Sequence, residues 1–200
     1  MGVSGIILAG GRSLRMGRDK TLLLLNNETL IERTIKKLQN VVDEIIIASN
    51  QTEKYNFPGL MEVIDTYPGV GPLGGLHAGL MASRHRHAFV ISGDMPLFTE
   101  ELARYLLERR EGYDVVVPNI QNRWEPLCAV YSKKCIEPIE SCLQTNMRNV
   151  HSFYSQVKVL KIAEGQLKSI GDLDELFCNL NTPEDFHLLS RKNIALKEGD

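Results

Sequence analysis

Short apolar runs rich in β-branched residues recur along this chain of 200 residues, and turn residues separate them. Such runs are typical of buried strands, whose side chains meet a core on both faces. They predict strands at residues 5–8, 44–49, 61–64, 88–92, 115–117, 128–131 and 157–162.

Apolar residues at helical spacing predict helices between these strands. Thr29 and Glu32 fit a capping box that opens the first helix, which runs to about Gln39. Further helices are predicted at residues 73–84, 99–110 and 135–143, and Thr182-Pro183 opens a last one. Strands alternating with helices indicate an α/β protein in which helices sandwich a sheet. We expect one domain over residues 1–200, with a frayed tail at about 192–200.

Composition narrows the class of protein. A hydrophobic content of 43% is sufficient for one sizeable core, and the formal charge of -2 argues against broad nucleic-acid or membrane-surface binding. No apolar run approaches the roughly 20 residues that span a bilayer, and the first run is too short for a signal peptide. We therefore expect a cytoplasmic protein that binds neither nucleic acid nor membrane.

Cysteine and histidine patterns do not indicate a metal site. The four cysteines include no C-x-x-C pair, and we expect them to pack reduced in the core. His85 and His87 form an H-x-H beside two arginines, which we interpret as a basic surface turn before the next strand.

Chemistry is concentrated in residues 8–20, which read L-A-G-G-R-S-L-R-M-G-R-D-K directly after the first predicted strand. Paired glycines allow a tight turn whose exposed amides suit phosphate oxygens. The same segment carries the cations Arg12, Arg15, Arg18 and Lys20. Neither a Walker A loop nor the dinucleotide fingerprint fits this segment, because Arg18 follows Gly17 and residues 8–20 contain no G-x-G-x-x-G. On composition alone, an ordinary strand-to-helix turn also fits the segment.

A second candidate site follows the apolar strand at 88–92, where Gly93-Asp94-Met95-Pro96 comes next. Open α/β sheets place their ligands at the carboxyl ends of strands, where Asp94 falls. An aspartate is also a hard oxygen ligand suited to Mg²⁺. Alone, the same residues could form a simple turn.

The first segment resembles the signature L-A-G-G-x-S-x-R-M-G-x-D-K of the molybdenum cofactor guanylyltransferases, a family of nucleotidyltransferases. Every fixed position of the signature is filled between Leu8 and Lys20. Relatives that activate sugar phosphates carry an L-x-P-L-T continuation, which is absent here. The resemblance implies a Rossmann-like nucleotidyltransferase fold, with a central, mostly parallel mixed sheet flanked by helices.

The resemblance also implies roles for individual residues. Asp94 corresponds to the metal-binding aspartate, and a nucleotide-binding aspartate falls at or next to Asp65. Residues 71–75 (G-P-L-G-G) match an element that leads into a helix, and residues 125–131 (E-P-L-C-A-V-Y) match a stretch near the acceptor side. Asn179 and Asn181 match the family's closing F-x-N-x-N-T-P-E-D and are expected to line the acceptor pocket. GTP would be held by Leu8, Ala9, Gly10, Gly11, Lys20, Asp65 and Asp94.

The activity implied is Mg²⁺-dependent transfer of GMP from GTP to the phosphate of molybdopterin, with Arg15, Lys20 and Asp94 as catalytic residues. Other molybdenum cofactor biosynthesis proteins and molybdoenzyme chaperones are the expected partners, and the expected state is a monomer. Two alternatives stay open on the residues. A related nucleotidyltransferase could use CTP or another phosphorylated acceptor, and a silent homologue could deliver cofactor to an apoenzyme.

Overall fold

A mixed sheet of eight strands forms the centre of the described chain in the computed structural model. The structure describes residues 2–9, 20–25, 27–51, 54–55, 57–67, 69–180 and 185–186, and for Lys20 its backbone alone. The strands are β1 (Ser4–Leu8), β2 (Leu24–Leu25), β3 (Glu28–Thr29), β4 (Glu44–Ser49), β5 (Met61–Ile64), β6 (His87–Ser92), β7 (Val115–Ile120), β8 (Arg123–Trp124), β9 (Cys128–Ser132) and β10 (Val159–Ala163).

Six α-helices are present within the described residues: α1 (Leu30–Gln39), α2 (Pro72–Ala82), α3 (Glu100–Glu108), α4 (Ile136–Gln144), α5 (Glu164–Leu167) and α6 (Leu173–Leu176). Short 3₁₀ segments cover Lys20–Leu22, Lys133–Cys135 and Val150–Gln156. None of the described helices has the length and apolar character to cross a membrane.

The strand order is β10-β7-β9-β6-β1-β4-β5, with β8 paired to β7, while β2 and β3 form a separate hairpin. β9 is antiparallel to both its neighbours and β8 is antiparallel to β7, whereas the other pairs in the sheet are parallel. This arrangement confirms the mostly parallel mixed sheet expected from the sequence.

Two apolar cores cover the two faces of the sheet. Successive residues of β1 point to opposite faces, so that Ile7 joins one core and Ile6 the other. The first core packs α1 and α3 against the sheet, and the second packs α2 and α4. Every residue of β1 is buried, as expected for a central strand covered on both faces.

The strand pattern was predicted closely, and the differences have physical causes. β7 continues through Pro118 to Ile120, although a proline lacks the N–H that a strand interior normally needs. The carbonyl of Pro118 still accepts a hydrogen bond from the Glu125 amide at 3.0 Å. The hairpin β2–β3, strand β8 and helices α5 and α6 were not predicted, since elements of two to four residues carry no periodicity. The predicted helix start at Thr182-Pro183 and the tail at 192–200 lie outside the described residues.

Cysteine burial agrees with the prediction, but the histidine interpretation was wrong at one position. Cys128, Cys135 and Cys142 are buried, and Cys178 is partly buried. His87 is buried as the first residue of β6 rather than exposed in a turn. Burial lowers its pKa below the ordinary value for histidine.

The capping box predicted at Thr29 is present. The Thr29 amide donates to Glu32 Oε2 at 2.7 Å, and the Glu32 amide donates to Thr29 Oγ1 at 3.3 Å. These contacts satisfy two backbone groups at the start of α1 that would otherwise have no partner.

Thr29→Ala removes the capping oxygen and is expected to lower the free energy of unfolding by about 1 kcal/mol, measured by urea denaturation. Thr29→Ser keeps the oxygen and serves as the control, with stability near that of the wild type. A Thr29→Ala protein as stable as the control would contradict a capping role for this side chain.

Candidate active site

The candidate site lies between β1 and β6. At this point of the sheet the chain leaves in one direction from β1 and in the opposite direction from β6. From β1 the chain crosses through α1 to β4 on one side, and from β5 it returns through α2 to β6 on the other. Ligands of open α/β sheets bind in the crevice outside the carboxyl ends of strands at such a point. The Gly93 amide donates to the Leu8 carbonyl at 3.0 Å, which joins the first residues beyond β6 to the end of β1.

Asp94 lies directly beyond this contact. The Ser92 hydroxyl donates to Asp94 Oδ1 at 2.6 Å, which fixes the orientation of the half-buried carboxylate. The Leu180 amide donates to the Asp94 carbonyl at 2.9 Å. The contact places Asn179, a predicted acceptor residue, beside the segment that carries Asp94. Asn181 lies outside the described residues.

Lys37 holds the segment that follows Asp94, and sequence reasoning did not identify it. Its ammonium donates to the Pro96 and Phe98 carbonyls at 2.7 Å each and lies 5.1 Å from the centre of the Phe98 ring. Burial lowers the pKa of Lys37 to about 8, and the nearby Arg33 charge contributes to the shift. A cation on α1 thus fixes residues 93–98, which we call the Asp94 segment.

Asp65 directly follows β5 at the same edge of the sheet. Its Oδ1 accepts the Tyr67 amide at 2.7 Å, and its own amide donates to the Ser49 carbonyl at 3.1 Å. The carboxylate lies against Gly74 in the first turn of α2, where a Cβ would come within 2.3 Å of both carboxylate oxygens. Burial raises the pKa of Asp65 above its ordinary value, although the Tyr67 amide and His77 act in the opposite direction.

A buried histidine links this region to α4. His77 Nε2 lies 2.9 Å from Glu140 Oε1, and the Tyr67 ring meets the His77 ring edge-on at 5.3 Å. Its Nδ1 is buried and has no hydrogen-bond partner among the described residues. His77 falls within the helix predicted at residues 73–84, but the sequence gives no signal for its partner, which lies 63 residues away.

The two ends of the glycine-rich segment, which comprises residues 8–20, lie within the described residues, whereas most of its interior does not. Leu8 and Ala9 are buried at the end of β1, and Lys20 begins a 3₁₀ turn. Gly10, Gly11 and Arg15 lie outside the described residues, as does the Lys20 side chain. Only Leu8 and Ala9 of the predicted loop residues are therefore placed beside Asp94 with their side chains.

The antiparallel strand β9 begins at the same edge, just after the E-P-L stretch. The Leu127 carbonyl accepts the Ser92 amide at 2.9 Å, and the Tyr131 hydroxyl donates to the Pro126 carbonyl at 2.7 Å. Burial raises the pKa of Glu125. Trp124 packs edge-on against Tyr154 with 5.5 Å between ring centres.

The oxygen donors at this edge are compatible with Mg²⁺. The described residues contain no cluster of three or more His, Cys, Asp or Glu side chains that could hold a metal ion by themselves. Asp94 offers one hard carboxylate, and Mg²⁺ commonly takes one or two protein carboxylates together with water and substrate phosphates. The side chain therefore fits a metal ion that arrives with a phosphorylated substrate.

Comparison with known proteins identifies the family of the chain. Residues 5–159 match the model of the MobA-like NTP transferase domain. The chain is 43% identical over 182 residues to a probable molybdenum cofactor guanylyltransferase of Pelotomaculum thermopropionicum, covering 91% of this chain and 89% of the relative. It is 34% identical to the molybdenum cofactor guanylyltransferase of Desulfosudis oleivorans, covering 98% and 97%.

Solved structures show the same fold. The molybdopterin-guanine dinucleotide biosynthesis protein A of Archaeoglobus fulgidus superposes with a TM-score of 0.82 at 22% identity, covering 96% of this chain and 99% of that one. A 2-C-methyl-D-erythritol 4-phosphate cytidylyltransferase of Thermus thermophilus gives 0.70 at 17% identity, covering 96% and 100%. The fold is therefore that of the Rossmann-like nucleotidyltransferases. Within that class, the chain belongs to the MobA-like NTP transferase family, in which its curated relatives are molybdenum cofactor guanylyltransferases.

The half-buried Lys37 predicts a pH-dependent component of stability. Between its folded pKa of about 8 and the ordinary value of 10.5, the unfolded chain binds more protons at this position than the folded chain. Stability arising from Lys37 therefore rises with pH across this window. The free energy of unfolding of the wild type minus that of Lys37→Met is expected to increase from pH 8 to 10.5, measured by urea denaturation at each pH.

The exposed Lys36→Met, an identical exchange one residue earlier on α1, controls for the loss of a positive charge. A wild-type minus Lys37→Met difference that falls or stays flat over this window would contradict a lowered pKa for Lys37 in the folded chain.

Proposed function

We propose that the protein transfers GMP from GTP to the terminal phosphate of molybdopterin, giving molybdopterin guanine dinucleotide and pyrophosphate, and that the reaction requires Mg²⁺. The observation that carries the proposal is the contact of Gly93 with Leu8, which joins the glycine-rich segment to the Asp94 segment at the ligand edge. The names of the curated relatives support GTP and molybdopterin as substrates.

GTP lies across the carboxyl ends of the central strands. Main-chain groups from Leu8 to Gly11 bind the nucleotide, and Arg15 and Lys20 neutralise its phosphates. Asp65 contacts the nucleoside end. β5 and β6 are three strand spacings apart, so Asp65 lies about 14 Å from the Asp94 strand. That separation suits an extended nucleotide with its base near Asp65 and its phosphates near Asp94.

The acceptor lies on the other side of Asp94, toward β9 and the closing segment. Asn179 and Asn181 supply amide groups to it. The Leu180–Asp94 hydrogen bond supports this placement, since it holds the closing segment against the metal-binding segment. Other molybdenum cofactor biosynthesis proteins and molybdoenzyme chaperones in the cytoplasm are the proposed source and destination of acceptor and product.

In the reaction, an oxygen of the molybdopterin phosphate attacks the α-phosphorus of GTP. A new phosphorus–oxygen bond forms, and the bond to the bridging oxygen of the β-phosphate breaks, releasing pyrophosphate. The attacking phosphate oxygen is already anionic and needs no general base. The chain's own contribution is positioning and charge stabilisation by Arg15 and Lys20. Mg²⁺ bound at Asp94 supplies neutralisation of charge on the transferring phosphates.

Asp94→Asn tests the proposal directly. The variant loses the anionic ligand but keeps a side chain that can accept from Ser92, so the fold is expected to persist while turnover falls at least about a hundredfold. Pyrophosphate and dinucleotide formation are followed with molybdopterin, Mg²⁺ and either GTP or CTP. Asp174→Asn, on an exposed residue of α6, controls for the loss of one carboxylate.

Two results would overturn the proposal. Wild-type activity in Asp94→Asn would remove Asp94 from the reaction. Turnover of the wild-type protein with CTP but not with GTP would show that the transferred group is CMP and that GTP is the wrong donor.

Gly74→Ala tests the role of Asp65 without changing Asp65. A methyl group within 2.3 Å of both carboxylate oxygens displaces the Asp65 side chain, whereas alanine itself favours the helix by about 0.8–1 kcal/mol. The KM for GTP is expected to rise about tenfold, equivalent to about 1.4 kcal/mol of binding energy. Initial rates at varied GTP measure the effect.

Gly165→Ala is the matched control, because a Cβ at this helical glycine meets no atom within 4 Å. If Gly74→Ala leaves the KM for GTP at the control value, Asp65 does not contact the nucleotide.

A further inference from the structure

The hydroxyl of Tyr55 joins the two ends of the glycine-rich segment. It donates to the Ala9 carbonyl at 2.9 Å, and it lies 2.8 Å from the Thr21 hydroxyl. A tyrosine hydroxyl has one proton to donate, and Tyr55 donates it to the Ala9 carbonyl oxygen. In the second contact Thr21 Oγ1 is therefore the donor and Tyr55 Oη the acceptor. Ala9 lies at the start of the segment and Thr21 directly follows Lys20 at its end, so one oxygen links residues on either side of positions 10–20.

These contacts are shielded from solvent. Ala9, Thr21 and Tyr55 are 4%, 6% and 8% exposed. A buried carbonyl or hydroxyl that loses its partner costs more free energy than an exposed one, because water cannot replace the bond. The three groups are therefore held together firmly.

Tyr55 is itself fixed by residues outside the glycine-rich segment. Its amide donates to Glu62 Oε2 at 3.3 Å, and Glu62 Oε1 accepts the Ser49 hydroxyl at 2.9 Å. The Tyr55 ring lies nearly parallel to the Phe57 ring, with 6.5 Å between their centres. The Tyr55 hydroxyl is therefore held in place by contacts with β5 and with the segment between β4 and β5.

Thr21 extends the link to Asp94. A Cβ built on Gly93 would come within 2.8 Å of Thr21 Cγ2, which shows that the threonine methyl packs directly on the Gly93 backbone. Tyr55 therefore sets the position of Thr21 relative both to Ala9 and to the segment that carries Asp94. Its separation from Ala9 is 46 residues, and no sequence motif marked it.

We infer that Tyr55 is a positioning residue for nucleotide binding, which acts by fixing the two ends of the glycine-rich segment against each other and against the Asp94 segment. The inference rests on the proposed function, in which that segment binds GTP. Tyr55 does not need to touch the nucleotide, since its effect passes through Ala9 and Thr21.

The test is the affinity for GTP in the presence of Mg²⁺ and without acceptor, measured by calorimetry on the full chain. Tyr55→Phe keeps the ring and removes the hydroxyl, and Thr21→Val removes the hydroxyl on the other side of the link. Each is expected to weaken GTP binding about tenfold. The double variant is expected to be no weaker than either single variant, because both remove the same link. Thr21→Ser keeps the hydroxyl but loses the methyl that packs on Gly93, so it is expected to bind GTP more tightly than Thr21→Val.

Thr34→Val controls for the loss of a buried hydroxyl. Thr34 is fully buried in α1 and donates to the Leu30 carbonyl at 3.0 Å, away from the glycine-rich segment. This variant is expected to bind GTP as the wild type does. The KM for the acceptor is expected to be unchanged in Tyr55→Phe while the KM for GTP rises, a difference that general destabilisation would not produce.

Lys20→Ala separates the two hypotheses. If the wild type binds GTP and Lys20→Ala does not, while Tyr55→Phe binds as the wild type does, the positioning role is wrong and the proposed function stands. Equal weakening by Thr34→Val and Tyr55→Phe would also overturn the positioning role. If Lys20→Ala binds GTP as tightly as the wild type, the proposed nucleotide segment is wrong.

Discussion

The pairing of β1 with β6 at the centre of the sheet is the constraint on which the site depends. The two strands run parallel in register from Ser4 opposite Ala88 to Leu8 opposite Ser92, so both end at the same level. The ladder continues one step further through the Gly93 amide and the Leu8 carbonyl. Because both strands are buried on both faces, a one-residue slip in this register would move every side chain to the opposite core and disrupt the packing of both cores. The packing of the core thereby fixes where Asp94 stands relative to the first segment.

The last carbonyls of β1 show how the neighbouring segments are held. A buried carbonyl needs a partner, and beyond the strand the sheet no longer supplies one by itself. The Gly93 amide donates a hydrogen bond to the Leu8 carbonyl, and the Tyr55 hydroxyl donates one to the Ala9 carbonyl. One partner comes from the β6 side and the other from the segment between β4 and β5. The start of the glycine-rich segment is therefore anchored on both sides of β1.

The predictability of the fold and of the site follows from the range of the interactions involved. Strands such as β4 could be predicted to the residue because a strand buried on both faces is a continuous apolar run. The capping box at Thr29 was predictable because its partners are three residues apart. The contacts made by Lys37 and Tyr55 were not, since they join residues 59 and 46 positions apart with no local signature. The residues proposed to carry chemistry were visible in the sequence, whereas the side chains that hold their segments in place were not.

The two halves of the site are supported by different kinds of group. The Asp94 segment is held by the Lys37 ammonium, whose lowered pKa of about 8 reflects the cost of burying a charge. The ends of the glycine-rich segment are held by the neutral hydroxyls of Tyr55 and Thr21. A cation beneath the Asp94 segment adds positive potential near the region where phosphates are proposed to bind. Neutral hydroxyls add none, which leaves the charge on the first segment to its own arginines and Lys20. A net charge of -2 over the whole chain is therefore compatible with a local excess of cations in the sequence of residues 12–20.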